Sequence, residues 1–151
     1  MTPNRDAATG LFPVEALTPA VLSATQSSAV LDMIDFQSAT VLLHIGVGGI
    51  AFSANNKIEV SLTVGDLADG SDAVPVTDLD VVKDGLAPAA IANGIVRSIV
   101  APKAAADIQR IGYIGGKRYL KVTVTFSGAH ATGTPIAASV AKMRATLKGV
   151  A

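Results

Sequence analysis

The stretch Lys57-Ile58-Glu59-Val60-Ser61-Leu62-Thr63-Val64 alternates polar and apolar side chains without a break. In an extended chain, successive side chains point to opposite sides. Ile58, Val60, Leu62 and Val64 therefore share one face, and Lys57, Glu59, Ser61 and Thr63 share the other. A helix would scatter the same residues around its circumference, so the pattern predicts a strand with one buried and one wet face. Residues 117–126 repeat the signal, with Leu120, Val122, Val124 and Phe126 against Tyr119, Lys121, Thr123 and Thr125.

Outward from these two stretches, strand-like runs recur at 29–36, 38–47, 73–82 (weakened by Pro75), 95–100 and 110–114. Turn signals separate them: Asn55-Asn56, the acidic loop 66–72, the loop 101–107 and the Gly/Thr-rich turn 127–135. Residues 84–93 have room for a short turn of helix. Gly115-Gly116 is expected to supply positive φ for a hairpin joining 110–114 to 117–126. The alanines of 136–147 permit a helix, but a strand from Ile136 to Met143 completes the sheet pattern. Seven or eight short strands without βαβ alternation predict an all-β fold, a β-sandwich or small barrel, of which an antiparallel, jelly-roll-like sandwich is the expectation taken forward. Pro3, Pro13 and Pro19 make residues 1–20 read as an extended N-terminal arm, leaving 21–151 as one domain.

The composition suits a self-sufficient core. Half of the 151 residues are apolar, and a chain of this length buries roughly 70% of its unfolded surface. Cysteine is absent, which excludes disulfides and thiolate metal sites. Tryptophan is absent too, and aromatics are 4% of the chain, a poor supply for stacking bases or sugars. No apolar run approaches the ~18–20 residues of a membrane span. Met1 to Thr9 are polar and have no signal-peptide core, so cytoplasmic synthesis is expected. The zero net charge hides an asymmetry: residues up to Asp84 hold eleven acids and three bases, and those beyond hold one acid and nine bases. Either the two sets interleave in the fold or they form complementary faces for association.

Motifs for chemistry are weak. Gly46-Val47-Gly48-Gly49-Ile50-Ala51 has the outline of a dinucleotide fingerprint, but an alternating strand follows where a helix must open on the pyrophosphate. A glycine-rich bend is the better reading. Gly112 to Arg118 is not a P-loop, because Arg118 stands where a Mg²⁺-binding hydroxyl is required. Asp66, Asp69 and Asp72 with Gly70 lack EF-hand spacing and read as a solvated turn. His44 lies in an apolar strand as a core or interface side chain, and His130 lies in a loop where local packing accounts for it. No nucleophile elbow is present. The expectation is a non-enzymatic chain without cofactor or metal.

Arg110-Ile111-Gly112-Tyr113-Ile114-Gly115-Gly116-Lys117-Arg118-Tyr119-Leu120, followed by Gly128-Ala129-His130-Ala131-Thr132-Gly133-Thr134-Pro135, resembles a group of small tailed-bacteriophage structural proteins. In them a GYxGGKRY strand pair leads to a G-x-HATGTP turn; the match covers about the last 40 residues well and the 38–72 region loosely. The resemblance implies a virion component, with no catalytic residues to carry over. The expected role is a capsid decoration or cement protein on the outer surface of the phage head. It would bind the major capsid protein and form a homo-oligomer such as a trimer, with neither nucleic acid nor membrane as partner. The alternative is a head–tail connector, neck or minor tail protein. The expected partner contacts are Arg5 and Phe12 in the arm and the basic edge Lys117, Arg118 and Lys121.

Overall fold

The two alternating stretches pair with each other. In the computed structural model, which describes residues 8–145, strand β5 (Lys57–Gly65) runs antiparallel to β10 (Tyr119–Ser127), from Tyr119 opposite Gly65 to Ser127 opposite Lys57. Every apolar residue of one meets an apolar residue of the other on the same face: Leu120 with Val64, Val122 with Leu62, Val124 with Val60 and Phe126 with Ile58. The other strands are β1 (Leu11–Leu22), β2 (Gln26–Ser27), β3 (Leu31–Asp32), β4 (Phe36–Ile45), β6 (Val74–Pro75), β7 (Val81–Val82), β8 (Ile95–Ile99), β9 (Asp107–Tyr113) and β11 (Thr134–Ala145). They form two antiparallel sheets packed face to face, and among the described residues there is no α-helix.

Sheet A has the order β1-β11-β4-β9-β7. Sheet B has the order β2-β10-β5-β6, with β3 also on β10 and β8 also on β5. The sets β1-β11-β4-β9 and β2-β10-β5-β8 form the eight-stranded double Greek key of a jelly roll. Between them, Ile58, Val60, Leu62, Leu120, Val122 and Val124 of sheet B pack on Val41, Leu43, Ile111, Ile136 and Val140 of sheet A, all buried.

Several local expectations are corrected. Residues 11–20 are not a loose arm: β1 pairs with β11 from Leu11 opposite Met143 to Leu22 opposite Thr134. The prolines misled because they cannot donate to a ladder, yet β1 is an edge strand with one side unpaired, and register shifts between Glu15 and Ala20 absorb Pro19. Residues 1–7, including Arg5, lie outside the described residues. The run 29–36 is not one strand: Leu31–Asp32 pairs briefly as β3, then the chain turns at Ile34-Asp35 into β4, with Asp35 at a φ of 67° and the Phe36 N–H bonded back to the Met33 carbonyl at 3.0 Å. The run 73–82 splits into β6 and β7 around a turn in which the Asp80 carboxylate receives the Thr77 N–H and hydroxyl, both at 2.8 Å.

The Gly115-Gly116 hairpin does not exist. β9 belongs to sheet A and β10 to sheet B, so this link crosses between sheets, and neither glycine has positive φ. Gly115 is needed for close approach instead: a Cβ there would lie 2.6 Å from the Tyr113 ring. Tyr113 is buried, and its hydroxyl accepts the Lys117 N–H at 3.2 Å, which pins the crossover. Burial pushes its phenol above the usual range, and the nearby Asp80 and Asp66 charges add to this against the Lys117 hydrogen bond.

Arg97 on β8 closes the open side of the sandwich. Its guanidinium donates to the Gln109 side chain at 3.1 Å, the Val96 carbonyl at 2.7 Å, the Arg110 carbonyl at 2.7 Å and the Asp84 carboxylate at 2.8 Å. It ties the edge of sheet B to β9 of sheet A. Gln109 continues the chain to Asp107 at 3.3 Å, which pairs with Lys103 at 2.6 Å.

Candidate functional site

The basic edge is largely neutralised within the chain. Lys117 pairs with Asp66, and Arg118 grips Asp32 with two bonds of 3.0 and 2.8 Å while lying 5.0 Å over the Tyr119 ring. The Arg118 hydrogen bond holds the Asp32 carboxyl below its usual range, and the Lys117 hydrogen bond does the same to Asp66. Lys121 alone of the three has no ion-pair partner among the described residues; it stands on the outer face of sheet B opposite Thr63. Phe12 is half-buried against Phe36, ring centroids 5.1 Å apart. Among the described residues, Arg97–Asp84, Lys117–Asp66 and Arg118–Asp32 join the acidic half of the sequence to the basic half. The charges thus interleave.

The acidic loop satisfies itself. The Asp72 carboxylate receives the N–H groups of Asp66 and Leu67 at 2.7 and 3.1 Å, and Asp69 receives that of Ser71 at 3.0 Å. No group of three His, Asp or Glu residues gathers as a metal site would require among the described residues. The glycine-rich bend packs on the 127–135 turn rather than opening a helix. Gly46 N–H bonds the Pro135 carbonyl at 2.7 Å, and the Thr132 hydroxyl bonds the Gly49 carbonyl at 2.7 Å. His130 is buried in that turn, bonded to the Ser127 carbonyl at 2.8 Å and edge-on to Phe126 at 4.9 Å.

The outer faces of the two sheets differ in chemistry. Sheet B presents Lys57, Glu59, Ser61 and Thr63 from β5 beside Tyr119, Lys121, Thr123 and Thr125 from β10, the usual wet face of an antiparallel sheet. Sheet A presents rows that cross four strands in register. One row is Pro13, Ala141, Thr40 and Gly112; the next is Glu15, Ser139, Leu42 and Arg110. A third is Ala137, His44 and Ile108, and beyond it Val21 stands beside Pro135. Toward the His44, Ile108 and Pro135 end of this face a groove of about 950 Å³ opens, bordered by Glu15, Val21, Ala137 and Ser139; Thr40, Leu42 and Arg110 lie outside it.

This surface has small and apolar residues where polar ones are usual. Ile108 projects outward and is 64% exposed, while its neighbour Gln109 turns inward to meet Arg97. That inversion leaves an isoleucine in solvent and an amide in the core. Glu15 and Arg110 are the charges in the central row; Glu15 receives the Thr18 hydroxyl at 2.6 Å, and the Arg110 guanidinium has no ion-pair partner among the described residues. Exposed Pro13, Val21, Ile108 and Pro135 make this face richer in apolar side chains than that of sheet B, with Glu15, His44 and Arg110 exposed among them.

The sequence reading, directed at charged residues, did not single out this face. A signal was present. The runs Val41-Leu42-Leu43-His44-Ile45 and Ile136-Ala137-Ala138-Ser139-Val140 barely alternate, which is the pattern of strands covered on both sides. Compared with known protein families and with curated protein sequences, the chain matches none.

Proposed function

We propose that this chain is a virion structural subunit, a capsid decoration or cement protein that binds the major capsid protein on the outer surface of a phage head. The observation that carries the proposal is the groove-bearing outer face of sheet A, where apolar side chains outnumber the two charges Glu15 and Arg110, a surface suited to protein contact rather than to chemistry. The resemblance of 110–120 and 128–135 to small tailed-phage structural proteins points to the assembly. Jelly rolls also serve lectins and metal-binding cupins, so the site must discriminate. A sugar platform needs exposed aromatics. A cupin-like centre needs clustered histidines, whereas His44 lies on the sheet A face and His130 is buried in a turn. Many copies bound per particle stabilise a shell by mass action.

The experiment is to add purified chain to heads that lack it and count bound copies. Hundreds per particle support decoration, whereas about six or twelve support a head–tail connector, neck or minor tail role. Absence of any association refutes both. Residues 1–10 are the segment to delete in testing an N-terminal contact, because removing 11–20 would strip β1 from sheet A. Reduced occupancy of a folded domain supports that contact, and unchanged occupancy removes it.

A further inference from the structure

We propose that the outer face of sheet A is a homodimer interface, on which a second copy of this chain packs face to face with Arg110 of each copy meeting Glu15 of the other. The inference rests on reading this face as a protein-contact surface and adds the identity of one occupant.

The argument is self-complementarity. The central row runs Glu15, Ser139, Leu42, Arg110 across β1, β11, β4 and β9, with an acid at one end and a base at the other. A two-fold axis along β4 reverses the row in the facing copy. It lays β9 of each copy over β11 of the other, so Arg110 stands above Ser139. From there Glu15 is one strand spacing away, about 4.8 Å, within reach of an arginine side chain. The same operation sets the protruding Ile108 of each copy above Ala137, a recess floored by a small side chain. Leu42 meets its own copy on the axis, which gives an apolar centre flanked by two ion pairs.

Charge supports this occupant. Arg110 is exposed and lacks an ion-pair partner among the described residues. A lone cation on a largely uncharged face calls for an anion on whatever covers it, and the face holds that anion itself in Glu15. An isologous contact requires such a pair to occur twice.

The contact is small. On this axis β11, β4 and β9 of one copy cover β9, β4 and β11 of the other, and β1 overhangs the two-residue β7. Three strands about 4.8 Å apart and about 30 Å long give a footprint of roughly 430 Å² per copy. Two copies bury roughly 900 Å², below the usual size of specific stable interfaces, so the dimer is expected to be weak, dissociating in the range of tens of micromolar or above. A trimer would need a head-to-tail contact between two different patches, which this face does not provide.

The test is analytical ultracentrifugation of the full chain across concentration, with circular dichroism to verify that each variant is folded. Wild type is expected to pass from monomer to dimer as concentration rises. Glu15→Arg and Arg110→Glu are each expected to weaken the dimer about tenfold or more. The double variant Glu15→Arg/Arg110→Glu restores the pairs with reversed sense and is expected to recover wild-type dimerisation. A folded wild type that stays monomeric, one that forms trimers, or a double swap that fails to rescue overturns the proposal. Binding to heads reads separately: a monomer that decorates particles sinks the dimer and leaves the virion reading standing, while a rescued dimer that never binds particles does the reverse.

Discussion

Replacing Arg97 with methionine is the sharpest probe of what holds the two sheets in register. The side chain is 4% exposed and donates four hydrogen bonds, to Gln109, to the carbonyls of Val96 and Arg110, and to Asp84. Methionine fills most of the volume but donates nothing. Three acceptors in the protein interior lose their donor, at about 1–3 kcal/mol for each left unsatisfied. Asp84 is 35% exposed and turns to water, so its loss counts for less. In the other direction, the buried guanidinium no longer has to be stripped of water, a penalty of several kcal/mol. In the same sense, burial lowers the Arg97 pKa from its ordinary value against the pull of Asp84. The balance is a loss of about 3 kcal/mol, the lower end of what breaking a buried pair costs. For a domain of this size that lowers Tm by roughly 6–12 °C. Lysine at this position keeps one charge for Asp84 but cannot reach three other acceptors, so it should recover less than half of the loss. Thermal and urea unfolding followed by circular dichroism measure both variants. An Arg97→Met protein within about 0.5 kcal/mol of wild type would show that the network is not what joins β8 to β9.

Leu62→Ala removes a fully buried side chain at the centre of the sandwich and should cost about 2–5 kcal/mol in urea unfolding; a loss under 1 kcal/mol would mean that the core collapses around the cavity. Gly128→Ala places a Cβ 2.8 Å from the Asn55 carbonyl at a φ of 85°, so it should destabilise by about 2 kcal/mol, whereas an unchanged urea midpoint would show that the turn relaxes freely. Acid should weaken the fold. Hydrogen bonds from Arg118 and Lys117 hold Asp32 and Asp66 below the usual 3.8, and at Asp107 burial pulls upward but Lys103 and Gln109 pull further down. The unfolded chain then binds more protons than the folded one, so this stability is fully present above about pH 5 and is lost as pH falls through the folded values. A Tm that stays flat between pH 6 and pH 3 would refute that linkage.

Strand existence was legible wherever one face is wet and the other buried. β5, β8 and β10 fall within a residue or two of their predicted bounds, and β4 is shifted by two residues at each end. Edges were less legible. β1 was hidden by Pro13 and Pro19, whose missing N–H groups forbid a central strand but suit an edge, and nothing local says which strand will be an edge. The Gly115-Gly116 pair was misread for a related reason. A diglycine between two strands fits a hairpin and a sheet-to-sheet crossover equally well, and only the packing of Tyr113 distinguishes them.

By itself, the order of residues determined an all-β chain and the inward set of each alternating strand, because side-chain alternation is a local property of extended backbone. Only the tertiary structure decided which strands pair, which charges neutralise each other and what the outer faces carry. Asp32 meets Arg118 across 86 positions of sequence, and Asp66 meets Lys117 across 51. The row Glu15, Ser139, Leu42, Arg110 draws one residue from each of four strands. Burial of one face is written into neighbouring residues, whereas the composition of the opposite face emerges only when long-range pairing sets distant strands side by side.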